Sequence, residues 1–318
     1  MERSTEHCGR RIALVGAGAV GLYYGARLAL NGEDVRFLLR SDFEEVTRRG
    51  IRLESVAGDA HLEEVQAFRD PTEIGPVELV ILAWKSTAND RLEEVLGPLL
   101  GETTQVLTLQ NGLGNCERLA EIVGPERVLG GLCFVCINRL SEGRVRHTAG
   151  GKVTIGEWRP LEGVPRAREM SARFESAGIP SAVAERLESA QWRKLVWNVP
   201  FNGLAIAEGG VTTDVLLASP GTEREVRALM GEVIAAARAL GHEIDPGVVD
   251  FEIDRTRPMG AYRPSSMIDF VEGREIEYEA IWAEPLRRAR AAGVATPHLE
   301  SLAARIRERV AAAGSGGA

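Results

Sequence analysis

The chain reads as an α/β domain followed by an all-helical domain, and three observations carry that reading. Short, continuous apolar runs alternate with helical patterns through the first half. A glycine-rich turn joins the first of these runs to a helix. Beyond about Pro165 the apolar spacing becomes helical. In order, "RIALVGAGAVG" predicts a strand and a glycine turn, "GLYYGARLALNG" a helix ending near Gly32, and "DVRFLLR" a second strand. "VELVILAW" and "TQVLTLQNG" are further β-rich runs, with the helix-like "DRLEEVLGPLL" between them. Apolar strands without polar alternation, separated by helices, point to a parallel sheet covered on both faces. After Gly124, "RVLGGLCFVCI", "GRVRHT" and "KVTIGE" follow closely without helices, so antiparallel strands are expected at that end.

In the second half, "EREVRALMGEVIAAARALGHEI" has the spacing of a long amphipathic helix closed by Gly241. "IEYEAIWAEPLRRARAAGV" reads the same way, with Gly293 as its stop and Pro285 as a kink. A length of 318 residues favours two domains. The boundary falls near Glu185, dividing the chain into 1–185 and 186–318. The tail "AAAGSGGA" is expected to fray.

Composition narrows the function. Apolar residues make up 44% and charged residues 26%, with a formal net charge of −8 and no basic stripe, which argues against a nucleic-acid surface. Arg287, Arg288 and Arg290 cluster, but Glu284 offsets them, as on a solvated helix face. No apolar run approaches the roughly 20 residues of a membrane span. The start "MERSTEHCGRR" lacks the apolar core of a signal peptide, so a cytoplasmic protein is expected. Four cysteines do not make a disulfide scaffold. Cys133 and Cys136 form a lone C-x-x-C without a second ligand pair, which predicts buried reduced thiols and no metal.

"GAGAVG" (Gly16, Ala17, Gly18, Ala19, Val20, Gly21) has G-x-G-x-x-G spacing after a strand and at the start of a helix. There Gly16 permits a tight turn, Gly18 lets backbone approach a pyrophosphate, and Gly21 allows close helix–strand packing. The helix N-terminus offers free N–H groups to the anion. Cofactor choice is read at the end of the second strand, which carries Leu39, Arg40 and Ser41. A guanidinium cannot accept hydrogen bonds from ribose hydroxyls but pairs well with a phosphate dianion, so Arg40 favours NADP. Asp42, two residues on, leaves NAD open.

"QWRKLVWNVPFNGLAI" combines a buried-helix composition with Lys194, Asn198 and Asn202 at intervals of four. On a helix these share one face. A buried lysine without partners would cost several kcal/mol, so the stripe implies either a solvated helix edge or a polar site with matching acceptors. Pro200 withholds the donor for the carbonyl of Val196 and predicts a kink.

"GAGAVG", "QNGLGN", "WRKLVWNVPFNGLA", "SSM" and a Glu-bearing helix ending "RRARAAGVATP" occur in that order, and over roughly residues 11–300 the chain resembles the ketopantoate reductase (2-dehydropantoate 2-reductase) family. The resemblance implies a Rossmann-type NADPH domain followed by a 6-phosphogluconate-dehydrogenase-like helical domain, with a small 2-oxo acid held between them. By motif, Lys194 resembles the catalytic lysine, and Asn198 and Asn202 the substrate-contacting asparagines. Asn111 of "QNG" would sit beside nicotinamide and substrate. Lys85 matches the lysine that reaches the cofactor, and Arg40 the arginine for the 2′-phosphate. Ser266, with Ser265 beside it, matches the substrate serine. Counting back from "RRARAAG" places the family glutamate on Glu277, with Glu275 and Glu279 as alternatives. "IWA" stands where the family has asparagine–glycine, and the first polar position after Asn202 shifts toward Thr212. These departures surround the substrate rather than the cofactor. They leave open a reductase of another 2-oxo or 3-hydroxy acid, or a non-catalytic NADP-binding regulator. A homodimer through the helical domain is compatible with the sequence.

Overall fold

The computed structural model describes residues 10–315. The chain divides into two compact units. The first comprises the residues through Gln110 together with Asn115–Leu187, and the second comprises Asn111–Gly114 with the residues from Glu188 onward.

The first unit begins with β1 (Arg11–Val15), α1 (Ala19–Leu30), β2 (Asp34–Leu38), α2 (Phe43–Arg49), β3 (Ile51–Ser55), β4 (Ala60–Leu62), β5 (Gln66–Phe68), α3 (Pro71–Ile74) and β6 (Val77–Leu82). It continues with α4 (Leu92–Leu96), β7 (Leu100–Thr108), α5 (Asn115–Val123), β8 (Val128–Ser141), β9 (Arg144–Glu157), α6 (Arg166–Ser176) and β10 (Ser181–Val183). Among the described residues the strands form one ten-stranded sheet in the order β4-β3-β9-β8-β7-β6-β1-β2-β5, with β10 beside β9. The run β8-β7-β6-β1-β2-β5 is parallel throughout. Its order reverses direction between β1 and β6, which makes their carboxyl ends the switch point of an open α/β sheet.

The continuous apolar runs follow from burial on both faces. Ile12 and Leu14 of β1 enter a core with Leu22 and Tyr24 of α1 and Phe174 of α6, while Ala13 and Val15 point to the opposite face and are equally buried. The antiparallel expectation after Gly124 is met by β8 and β9, which form a long ladder. "GRVRHT" and "KVTIGE" are one strand rather than two. Gly150 and Gly151, both at positive φ, carry β9 through an irregularity in that ladder. A Cβ on Gly150 would lie 2.4 Å from the carbonyl oxygen of Phe134. "DRLEEVLGPLL" supplies only the short α4, because a 3-10 turn (Ser86–Arg91) precedes it and Gly97–Pro98 interrupts it. The helical pattern after Pro165 is also broken once, by β10.

The second unit is built from α7 (Leu187–Ala207), α8 (Thr213–Ala218), α9 (Pro220–Ala239), α10 (Val248–Thr256), α11 (Ser265–Val271), α12 (Glu284–Ala291) and α13 (Pro297–Ser315). Val226, Leu229, Met230, Val233 and Ala237 of α9 pack with Val196, Val199 and Leu204 of α7 and with Leu302 and Ile306 of α13. "IEYEAIWAEPLRRARAAGV" is not one regular helix. It begins at Tyr278, widens into a π-turn over Glu279–Ala283, and then continues as α12. Pro285 offers no N–H to the carbonyl of Ile281, and its ring needs room there, which the widened turn supplies. Of the tail, residues 311–315 belong to α13, and residues 316–318 lie outside the described residues.

Pro200 does not end α7, which runs through it. Beside it, the Trp282 indole N–H donates to the carbonyl of Val199 at 3.0 Å. Gly203 makes room for that ring, since a Cβ would lie 2.8 Å from Trp282 Nε1 and 2.7 Å from Leu302 Cδ2. Gly203→Ala should therefore destabilise the protein by about 1–3 kcal/mol through overpacking, outweighing the roughly 1 kcal/mol of helix propensity gained. A urea midpoint at or above that of the parent would contradict this account of the packing.

Candidate active site

The glycine turn follows β1 at the switch point. Gly16 has φ +102°, and a Cβ there would stand 2.2 Å from the backbone nitrogen of Trp84, just past the end of β6. Gly21 is constrained equally, with a virtual Cβ 2.0 Å from the carbonyl oxygen of Gly16. Gly18 is the opposite case: it is exposed, and a Cβ would meet nothing within 4 Å. The first turn of α1 has no side-chain cap and no acidic residue, so its N–H groups and positive dipole end face no competing anion. Ala17, Ala19 and Val20 pack back against the α/β core. A pyrophosphate fits this cradle on steric and electrostatic grounds.

Arg40 lies just past β2 and is exposed, whereas Leu39 before it is buried. Asp42 does not compete for ribose hydroxyls. It is 2% exposed, and its carboxylate accepts from Ser41 Oγ (2.9 Å), Arg139 (2.5 Å) and the backbone N–H of Gly143 (3.1 Å). The acid that left NAD open is thus committed to holding the β8–β9 hairpin.

Lys85 is half-buried at the start of the 3-10 turn after β6. Beside it lies a polar network that sequence reasoning missed. Asn89 Oδ1 accepts from Trp84 Nε1 (3.2 Å) and Gln110 Nε2 (2.8 Å), and Asn89 Nδ2 donates to Asn115 Oδ1 (2.9 Å). This network ties the carboxyl ends of β6 and β7 to the start of α5. Nothing in the spacing of these residues announces it.

In the helical unit, Lys194 Nζ donates to Asn111 Oδ1 at 2.7 Å, and both residues are half-buried. Asn111 reaches Lys194 because the turn after β7 packs with the helices. Leu113 is in the helical core, and its N–H donates to the carbonyl of Ala280 at 2.9 Å. Gly112, at φ +85°, allows this approach: a Cβ would stand 2.3 Å from the Ala280 oxygen. Asn198 is 8% and Asn202 2% exposed. Asn202 Nδ2 donates to the carbonyl of Asn198 (3.2 Å), and Asn202 Oδ1 accepts from the backbone N–H of Ser266 (2.9 Å). Ser266 is buried at the start of α11, with Ser265 exposed beside it.

Of the three candidate acids, Glu277 is buried, and Glu275 and Glu279 are exposed. Glu279 pairs with Arg287. Glu277 lies just ahead of the helix rather than on it, and its carbonyl accepts the first helical bond, from Ile281. Thr212 stands at the N-cap position of α8 without a side-chain cap bond and donates its hydroxyl to Asp214. The arginine cluster is neutralised as expected: Arg287 and Arg288 pair with Glu284, and Arg290 pairs with Glu300. Cys133 and Cys136 are half-buried rather than buried. Among the described residues no cluster of metal-ligating side chains occurs, and no helix is long and apolar enough to cross a membrane.

An open parallel sheet with a glycine turn at its switch point, accompanied by helices that hold a lysine against an amide, defines a Rossmann-type dinucleotide-dependent oxidoreductase. Comparison with known proteins narrows the class. The family model Ketopantoate reductase PanE/ApbA matches residues 12–160, and Ketopantoate reductase PanE/ApbA C terminal matches residues 186–310. A 2-dehydropantoate 2-reductase of Nostoc sp. is 39% identical over 297 residues, spanning 92% of this chain and 93% of that protein. The crystal structure of 2-dehydropantoate 2-reductase from Geobacter metallireducens is 45% identical with a TM-score of 0.91, over 94% of this chain and 99% of that one. The enzyme of the same name from Methylococcus capsulatus is 31% identical with a TM-score of 0.87, over 95% and 97%. The chain belongs to the ketopantoate reductase family.

Gly16→Ala places a side chain at positive φ and against the backbone of Trp84. Such strain costs about 1–3 kcal/mol and displaces the turn, so dinucleotide affinity should fall roughly tenfold or more. Nucleotide titration followed by fluorescence measures this; parental affinity would show that the turn does not carry the cofactor.

Proposed function

We propose that this protein reduces 2-dehydropantoate (ketopantoate) to pantoate with NADPH, a step of pantothenate and coenzyme A biosynthesis. The observation that carries the reading is the Lys194–Asn111 hydrogen bond, on a chain that also has the family's glycine turn. Gly16 to Gly21 would hold the pyrophosphate, Arg40 the 2′-phosphate and Lys85 the nucleotide further along. Bound NADPH supplies hydride from C4 of its reduced nicotinamide.

Hydride arrival at a ketone leaves negative charge growing on oxygen. The ammonium of Lys194 stabilises that charge and delivers the proton that completes the alcohol. Asn111 and Asn198 would orient the ammonium and the carbonyl. Ser265 and Ser266 bind the carboxylate end of the 2-oxo acid, and Glu277 accepts a hydrogen bond from the substrate hydroxyl. No metal is required, because the lysine is the electrophile.

The departures from the family pattern left another 2-oxo or 3-hydroxy acid open. Trp282 is fully buried and bonded to Val199, so the most conspicuous of them fills the helical core instead of meeting substrate. That supports ketopantoate. A lysine held on an amide also gives a purely regulatory role little to explain. In this reading residues 1–185 bind NADP, residues 186–318 bind substrate and form a homodimer, and the protein works in the cytoplasm. The free thiols of Cys116, Cys133 and Cys136 accord with a reducing compartment.

Loss of NADPH absorbance with ketopantoate, set against a panel of 2-oxo acids, tests the substrate. A clear preference for another acid would redirect the assignment. Lys194→Ala should lower kcat by about two orders of magnitude while NADPH binding persists; near-parental turnover would remove the lysine from the mechanism. Arg40→Ala should raise KM for NADPH about tenfold or more and leave that for NADH nearly unchanged, since a charge-assisted contact to phosphate is worth about 1.5–3 kcal/mol. Equal effects on both nucleotides would rule out a 2′-phosphate contact.

A further inference from the structure

We propose that Arg139 is a specificity-determining residue for the nucleotide. By pairing with Asp42 it cancels the charge of an acid, two residues from Arg40, that would otherwise hold a ribose hydroxyl or repel a 2′-phosphate. The inference rests on the reading of Arg40 as the 2′-phosphate contact and names what lets that arginine favour NADP.

The segment after β2 is pinned on both sides of Arg40. Before it, Leu39 is buried and its N–H donates to the carbonyl of Phe68 at 2.8 Å. After it, Asp42 is 2% exposed, and its carboxylate accepts from Ser41 Oγ, Arg139 and the N–H of Gly143. Arg40 and Ser41 are the exposed pair between these anchors. The turn therefore offers a guanidinium to solvent and keeps a carboxylate inside, although the two are neighbours but one in the chain.

An acid at the end of the second strand of a dinucleotide fold ordinarily accepts from the adenine-ribose hydroxyls, and its charge opposes a phosphate in the same place. Asp42 has the sequence position for that part, but its charge is met by Arg139, which comes from β8, 97 residues away. The neighbouring acids are sorted in the same way. Glu44 pairs with Arg69 at 2.6 Å, and Glu45 with Arg48 and Arg49. Each acid of the segment from Ser41 to Arg49 is thus matched by an arginine other than Arg40. Among the described residues Arg40 forms no ion pair, so its donors are left for an incoming dianion. The pairs of Glu44 and Glu45 have exposed partners and are screened by salt. The Asp42 carboxylate is buried, where a charge acts over a longer range, which makes Arg139 the decisive partner.

Nucleotide affinity of the full chain without substrate, read by fluorescence titration, tests this. Arg139→Ala uncovers the Asp42 charge and should weaken NADPH binding about fivefold or more, with NADH unchanged or tighter. Adding Asp42→Asn to Arg139→Ala should return the NADPH-to-NADH ratio of Kd values to within about twofold of the parent. A parental ratio in Arg139→Ala, with or without a lowered melting temperature, marks a mere clamp on the β8–β9 hairpin and overturns the inference. So does a ratio that Asp42→Asn fails to restore, which would mean that Arg139 meets the nucleotide itself. Should either Arg139 variant not fold, Asp42→Asn in the parent decides. It leaves the Arg139 charge unopposed against the turn that carries Arg40, so NADPH should bind about twofold or more tightly with NADH unchanged. An equal change for both nucleotides, weaker NADPH binding, or no change overturns the inference. Arg40→Ala, titrated in parallel, keeps the two readings apart. If it weakens both nucleotides equally, the 2′-phosphate reading fails and the inference with it. If it weakens NADPH alone, a parental ratio in Arg139→Ala overturns only the inference.

Discussion

The contact between Lys194 and Asn111 is the constraint on which the rest of the helical unit turns. A half-buried ammonium needs an acceptor, and the amide oxygen of Asn111 provides one at 2.7 Å without neutralising the charge. Putting Asn111 there requires the turn after β7 to pack with the helices, and Gly112 and Leu113 make that possible. Gly112 admits the carbonyl of Ala280 where any side chain would clash, and Leu113 buries itself in the helical core.

The same reliance on amides extends along α7. Lys194, Asn198 and Asn202 occupy one face, while Val196, Val199 and Leu204 build the core. The polar face is affordable because its groups have partners, with Asn202 bridging to α11. Pro200, Gly203 and Trp282 form a second, apolar arrangement around the same turns, in which a missing side chain at Gly203 admits an indole that donates to Val199. Polar and apolar contacts thus occupy different sides of one helix.

Much of this was legible in the residues themselves. The parallel sheet could be read because both faces are buried, which makes each strand continuously apolar. The glycine turn could be read from its spacing; Gly16 and Gly21 meet steric demands at Trp84 and at Gly16, while Gly18 faces open space. Less legible were features that depend on distant partners. Asp42 looked available to a ribose, but it is bonded to Arg139 and Gly143, 97 and 101 residues away in sequence. The network around Asn89 was silent for the same reason. The helix after Glu277 was read as regular but for a kink at Pro285, because periodicity records which residues face inward and not where a turn widens.

Local periodicity, glycine placement and the stripe on α7 thus determined the fold class, the dinucleotide turn and the lysine, since each depends on residues close together in the chain. Tertiary structure alone decided which of three glutamates is buried, what Asp42 and Asn202 are bonded to, and that Asn111 belongs with the helices. Those outcomes turn on distances between segments far apart in sequence, where short-range hydrogen bonds and steric fit leave no periodic trace.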